Sequence, residues 1–154
     1  MMVDDIAGIR RVLKTNRTIA VVGLSANWWR PSFFAAKYMQ EHGYRIIPVN
    51  PAYREVLGEK CYARLADIPE KVDMVDCFRK SEDIGPLADE AIEIGAKCLW
   101  LQLGVRNDAA TARAEAAGLE VVVDRCVKIE HARLFGGLNF VGVNTRIISA
   151  KRAA

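Results

Sequence analysis

Cysteine pairs, long apolar runs, basic clusters and histidine are all scarce in this sequence of 154 residues. The four cysteines, Cys61, Cys77, Cys98 and Cys126, form no Cys-x-x-Cys pair. That excludes the usual zinc spacings and gives no secreted disulfide framework, so no metal is expected and the thiols are expected free and mostly buried. No stretch reaches the roughly 20 apolar residues of a membrane span. The opening MMVDDIAGIRR lacks the apolar core and cleavage site of a secretory signal. The expected location is therefore cytoplasmic. Net charge is only +3, and the basic residues stand singly or in pairs such as Arg10-Arg11 and Lys151-Arg152. A nucleic-acid binder would carry basic clusters on one face, so a small anionic ligand fits better than a polyanion.

What is present alternates in character. DDIAGIRRVLKT places Ile6, Ile9 and Leu13 at helical spacing and reads as a leading helix, taken as residues 1–14. TIAVVGLS (18–25) is a β-branched run with little alternation, as in a parallel strand covered on both faces. PSFFAAKYMQEHG (31–43) follows as a helix, with Pro31 at its first position and Gly43 as its stop. Further strands are expected at 44–50, 72–78, 96–104 and 119–124. Helices are expected at 81–95, with Ser81 as cap, at 107–118, with Asn107 as cap, and at 127–135. The stretch between the second and third strands has no clear pattern. This alternation implies one α/β domain, a Rossmann-like doubly wound parallel sheet of five main strands, with expected order 3-2-1-4-5. In that order the ligand crevice lies at the carboxyl ends of the first and fourth strands, where GLSANWWRPS meets LQLGVRND.

The first loop lacks a dinucleotide fingerprint. Gly23-Leu24-Ser25-Ala26-Asn27-Trp28 keeps the first glycine of G-x-G-x-x-G and replaces the other two. A pyrophosphate is still expected at the following helix start, where amides and dipole favour anions. Arg30 is a cation on the unfavourable side of that dipole, which a bound phosphate would reverse. The second strand ends Pro48-Val49-Asn50-Pro51 with no acid for ribose hydroxyls, which counts against NAD. Arg54 suits a phosphate on the adenosine ribose, as in NADP or coenzyme A (CoA), or is simply an exposed loop residue. Trp28 and Trp29 are expected to wall the crevice or cap the helix, at least one of them by packing alone.

The ordered set IAVVGLS, RPSFFAAKYM, GYRIIPVNP, LGEKCYARLADIP, VDMVDCFR, CLWLQLGVRND and VVVDRCVKIEH resembles the stand-alone CoA-binding domain proteins (the YccU-like family), themselves similar to the CoA-binding part of the succinyl-CoA synthetase α subunit. The resemblance spans roughly residues 15–140, leaving 141–154 as a tail. It implies CoA as cofactor. By it, Gly23, Leu24, Ser25, Arg30, Pro31 and Ser32 match the phosphate-holding segment. Asn50 and Pro51 match a place near the adenosine. Cys77, Phe78 and Arg79 match a pocket wall for adenine or pantetheine, and Gly104 and Val105 the pantetheine arm. The Trp28-Trp29 pair departs from the smaller or basic residues of the family.

No complete catalytic set is visible. His42 sits at a helix end, as a C-terminal cap would. Cys126 follows the fifth strand. Either it is a packed residue with His131 at the surface, or it is a thiol activated by Arg125, Lys128, a helix start and His131, facing the thiol end of CoA. The leading expectation is a non-catalytic binder of CoA or an acyl-CoA. The alternatives are an NADP-dependent oxidoreductase and a subunit that completes an acyl-CoA enzyme in trans. The weakly alternating tail from Gly136 is expected to pack across the domain, to mediate homodimerisation, or to fray.

Overall fold

The computed structural model describes residues 1–136; the expectations for the tail fall outside the described residues. Helix α1 (Ile6–Thr15) starts at Asp5, whose carboxylate accepts the Gly8 amide. Its buried stripe is Gly8, Ile9, Val12 and Leu13, while Ile6, expected on that stripe, is exposed. Strand β1 (Thr18–Val22) leads through the 23–30 loop into α2 (Pro31–Glu41). Pro31 takes the first helical position, and His42 caps the end by donating from Nδ1 to the Tyr38 carbonyl at 2.7 Å. Strand β2 (Arg45–Val49) follows, then a small hairpin of β3 (Glu55–Val56) and β4 (Glu59–Lys60), then β5 (Met74–Cys77). The rest is α3 (Ile84–Glu93), β6 (Cys98–Leu101), α4 (Asp108–Ala116), β7 (Glu120–Val122) and α5 (Val127–Phe135).

All five main strands are parallel, in the order β2-β1-β5-β6-β7. Counted by main strands this is 2-1-3-4-5, which corrects the expected 3-2-1-4-5. The third main strand, β5, lies against β1, with Ile19 opposite Met74 and Val22 opposite Cys77. Strand β2 is an edge. Pro48 explains why: its carbonyl accepts the Tyr62 amide on the outer side, so its missing N–H also faces outward, where no ladder bond is needed. The Val49 carbonyl points inward and accepts from Gly23 at 2.9 Å. In this order the topological switch lies between β1 and β5 rather than between the first and fourth main strands.

Successive strand residues face opposite sides of the sheet. Ile19, Val21, Met74, Cys98, Trp100 and Val122 pack under α1, α2 and α5. Ala20, Val22, Val75, Cys77, Leu99, Leu101 and Val121 pack under α3 and α4. The helix stops Gly43, Gly95 and Gly118 all have positive φ. Asn107 caps α4 by accepting the Ala110 amide. Ser81 is not a helix cap: it opens a 3-10 turn, and its hydroxyl accepts the Arg106 amide at 3.0 Å. No helix among the described residues is long and apolar enough to cross a membrane, and no group of three His, Cys, Asp or Glu there could hold a metal ion.

Candidate functional site

At the carboxyl end of β1 the chain turns at Gly23, with φ +86°. Leu24 then plugs into the core, fully buried. Two serines shape the loop: Ser32 Oγ accepts the Ser25 amide at 3.0 Å, and Ser25 Oγ accepts the Asn27 amide at 3.1 Å. Asn50, at the end of β2, ties itself to the same loop by donating to the Leu24 carbonyl at 3.1 Å and accepting from Ala52 at 2.9 Å. Its side chain therefore holds the loop. Arg30 is the N-cap residue of α2 and makes no capping hydrogen bond, and among the described residues its guanidinium has no ion pair. Phe33 and Phe34 both donate to the Arg30 carbonyl, and Pro31 has no N–H. The Ser32 N–H is thus the first-turn amide of α2 left without a protein acceptor among the described residues.

These features open on a cleft of about 740 Å³ across the ends of β2, β1, β5 and β6. Gly23, Ser25, Arg30, Pro31 and Ser32 line it from the first loop, with Asn50, Phe78, Arg79, Val105 and Cys126 also contributing. The other expected residues lie elsewhere. Leu24 and Cys77 are fully buried and their side chains face the core. Gly104 is exposed, with φ +78° and its amide bonded to Asp124, beside the cleft rather than on it. Arg54 is exposed and lines no cleft, and Pro51 faces a second cleft of about 330 Å³. That second cleft adjoins the first through Gly23 and Arg79 and is also lined by Arg64, Leu65 and Glu90. Trp28 and Trp29, 66% and 59% exposed, stack edge to face at the mouth without lining the cleft. Asn27, Tyr53, Lys80, Gln102, Leu103 and Ile129 line the cleft and were missed from sequence.

Polarity divides the main cleft. Toward β1 and α2 the wall is Ser25, Asn27, Arg30 and Ser32; toward β6 and α5 it is Leu103, Val105, Ile129 and Cys126. Below that second half lies Asp76, whose carboxylate accepts from Gln102 Nε2. Full burial pushes the Asp76 carboxyl up to about 7, only partly offset by the Gln102 bond. Burial also raises the Cys126 thiol, outweighing the amides of Lys128 and Ile129 at the start of α5. The sulfur makes no capping hydrogen bond of ordinary geometry. Of the two alternatives for Cys126, this environment favours the packed residue over the activated thiol. Arg125 is spent on Glu130 and the Asp4 carbonyl. His131 is neither a surface residue nor a base for Cys126: its Nδ1 bonds to the Tyr38 hydroxyl at 3.0 Å, and it packs between Tyr38, His42, Tyr44 and Phe135. Desolvation, then His42 and Arg17, lower its pKa to about 4.

The chain is similar to known proteins. The chain is 40% identical over 126 residues to Uncharacterized protein YneT of Bacillus subtilis, covering 82% of this chain and 93% of that protein. It is similar to a solved hypothetical protein from Pyrococcus horikoshii, with 42% identity and a TM-score of 0.84 over 86% of this chain and 94% of that one. It is also 37% identical over 83 residues, 53% of this chain, to the ADP-forming acetate–CoA ligase II of Archaeoglobus fulgidus, of which the match covers 12%. The family model for the CoA binding domain matches residues 17–132, and the chain belongs to that family.

Proposed function

We propose that this protein binds CoA or an acyl-CoA along the carboxyl edge of its sheet and performs no chemistry on it alone. The observation that carries the reading is the divided cleft at the β1–β5 switch. A serine- and arginine-lined half at the start of α2 suits the pyrophosphate, and an apolar half beside β6 and α5 suits the pantetheine arm. The adjoining small cleft, with Pro51, Arg64 and Arg79, is the place assigned to the 3′-phosphoadenosine. Arg54, expected at a ribose phosphate of either NADP or CoA, lies outside both clefts and does not separate the two. The buried His131 and raised Cys126 thiol favour binding over catalysis. The match to a small part of an acetate–CoA ligase favours a second reading, a subunit completing an acyl-CoA enzyme in trans.

Calorimetric titration of the ligand-stripped protein with CoA, and separately with NADPH, tests the proposal. Saturable one-site CoA binding with no NADPH heat supports it. NADPH binding without CoA binding overturns it. Copurification of a CoA-dependent ligase subunit, absent with an Arg30→Ala variant, would favour the trans reading.

A further inference from the structure

Gln102 sits at the end of β6, is 4% exposed, and lines the apolar half of the main cleft. Its backbone is spent: the N–H donates to Cys77 and the carbonyl accepts from Val105. One end of its side-chain amide is spent too, because Nε2 donates to Asp76. The amide oxygen Oε1 has no protein donor among the described residues. The buried side-chain atoms left without a partner among the described residues are Asn16 Oδ1 and Arg133 Nε; Gln102 Oε1 instead reaches the open cleft, where a ligand donor can bind it.

We propose that Gln102 Oε1 accepts a hydrogen bond from an amide N–H of the bound ligand, and that Asp76 positions it for that role. Ionised, above about pH 7, Asp76 can only accept, so it holds the NH2 end of Gln102 toward itself and leaves the oxygen for the cleft. Leu103, Val105 and Ile129 surround this single acceptor with apolar wall. The complementary ligand segment is an apolar chain carrying an amide donor. The inference rests on the CoA reading, within which that segment is the pantetheine arm and not the nucleotide. Gln102 then distinguishes CoA from ligands that share its adenosine and phosphates.

The test compares CoA with adenosine 3′,5′-bisphosphate, which lacks the arm, on wild type, Gln102→Met and Asp76→Asn by calorimetry at about pH 8, above the Asp76 pKa of about 7. Met keeps the shape of Gln and removes donor and acceptor. Asn keeps the shape of Asp but can donate as well as accept, so it no longer fixes which end of Gln102 faces the cleft. Loss of one hydrogen bond to the ligand predicts CoA binding weaker by about tenfold in Gln102→Met, with the bisphosphate unchanged. Asp76→Asn should show the same selectivity with a smaller, about threefold, loss. Unchanged CoA affinity in Gln102→Met, or equal losses for both ligands, overturns the proposal. Where Gln102→Met does not fold, Asp76→Asn decides: a CoA-only loss supports the assignment and unchanged CoA affinity overturns it. Failure of wild type to bind CoA is a different result and overturns the underlying CoA reading.

Discussion

Gly23 and Phe78 approach so closely that a side chain on the glycine would overlap the Phe78 carbonyl. The contact joins the ends of β1 and β5, the two strands on either side of the switch point. Gly23 also holds φ +86°, a conformation costly for other residues. Gly23→Ala should therefore destabilise the fold by about 2 kcal/mol or more, from strained backbone plus the overlap. Urea midpoints would show it. Wild-type stability would mean that the β1–β5 junction yields.

Arg30→Ala should leave the urea midpoint within error, because the side chain is exposed and makes no described ion pair or capping bond. CoA affinity should fall by about 1–3 kcal/mol, the loss of one charge-assisted contact. Titration in rising salt checks the origin: wild-type affinity should fall with salt more steeply than that of the variant. Equal affinity at low salt would remove Arg30 from the phosphate site.

Two buried groups pull the pH dependence of stability in opposite directions. Asp76 rises from 3.8 to about 7 on folding. The folded protein keeps that proton where the unfolded chain has lost it, so stability falls as pH climbs through this window and then levels. Asp76→Asn should flatten that decline. His131 falls from 6.5 to about 4 on folding, so the unfolded chain takes up the proton first and stability is lost as pH drops from about 6.5 toward 4. His131→Gln should reduce that acid loss. Urea midpoints measured across pH 4 to about 8 on both variants separate the two slopes.

The fold was legible in the sequence because its signals are local. Apolar β-branched runs, Pro31, Asn107 and the stop glycines each act on their own neighbourhood. Strand order is a long-range property, yet Pro48 carried one usable hint, since a strand proline belongs at an edge. The β3–β4 hairpin escaped because its turn, Leu57-Gly58, puts a leucine at φ 56° where Asn or Asp would announce it. In the site, Ser25, Arg30 and Ser32 all line the cleft; Ser25 and Arg30 were singled out from the loop before a helix, and Ser32 through the family resemblance. Gln102 was not: one residue past a buried strand, its importance depends on Asp76 on the neighbouring strand and on which face both share. Spacing along the chain cannot show that. The sequence left two alternatives open for Cys126 for a similar reason, because neighbouring charges are visible in sequence and burial is not.

Cys126 offers the cleanest occupancy probe for the apolar half of the cleft. Cys61, Cys77 and Cys98 are all buried, so alkylation of the native protein should fall on Cys126. The rate should be slower than for a small free thiol at the same pH, because burial raises the Cys126 pKa and shrinks the thiolate fraction that reacts. Saturating CoA should slow it further, since the arm assigned to Val105 and Ile129 would run past the sulfur. Adenosine 3′,5′-bisphosphate should protect much less. Mass-spectrometric time courses with iodoacetamide on wild type and Cys126→Ser provide the readout. Labelling that persists in Cys126→Ser would come from transient opening of the core. Equal protection by both ligands would put the arm elsewhere. Labelling faster than the free thiol would restore the activated cysteine, and a CoA disulfide would then be the reagent to try for a mixed disulfide at this position.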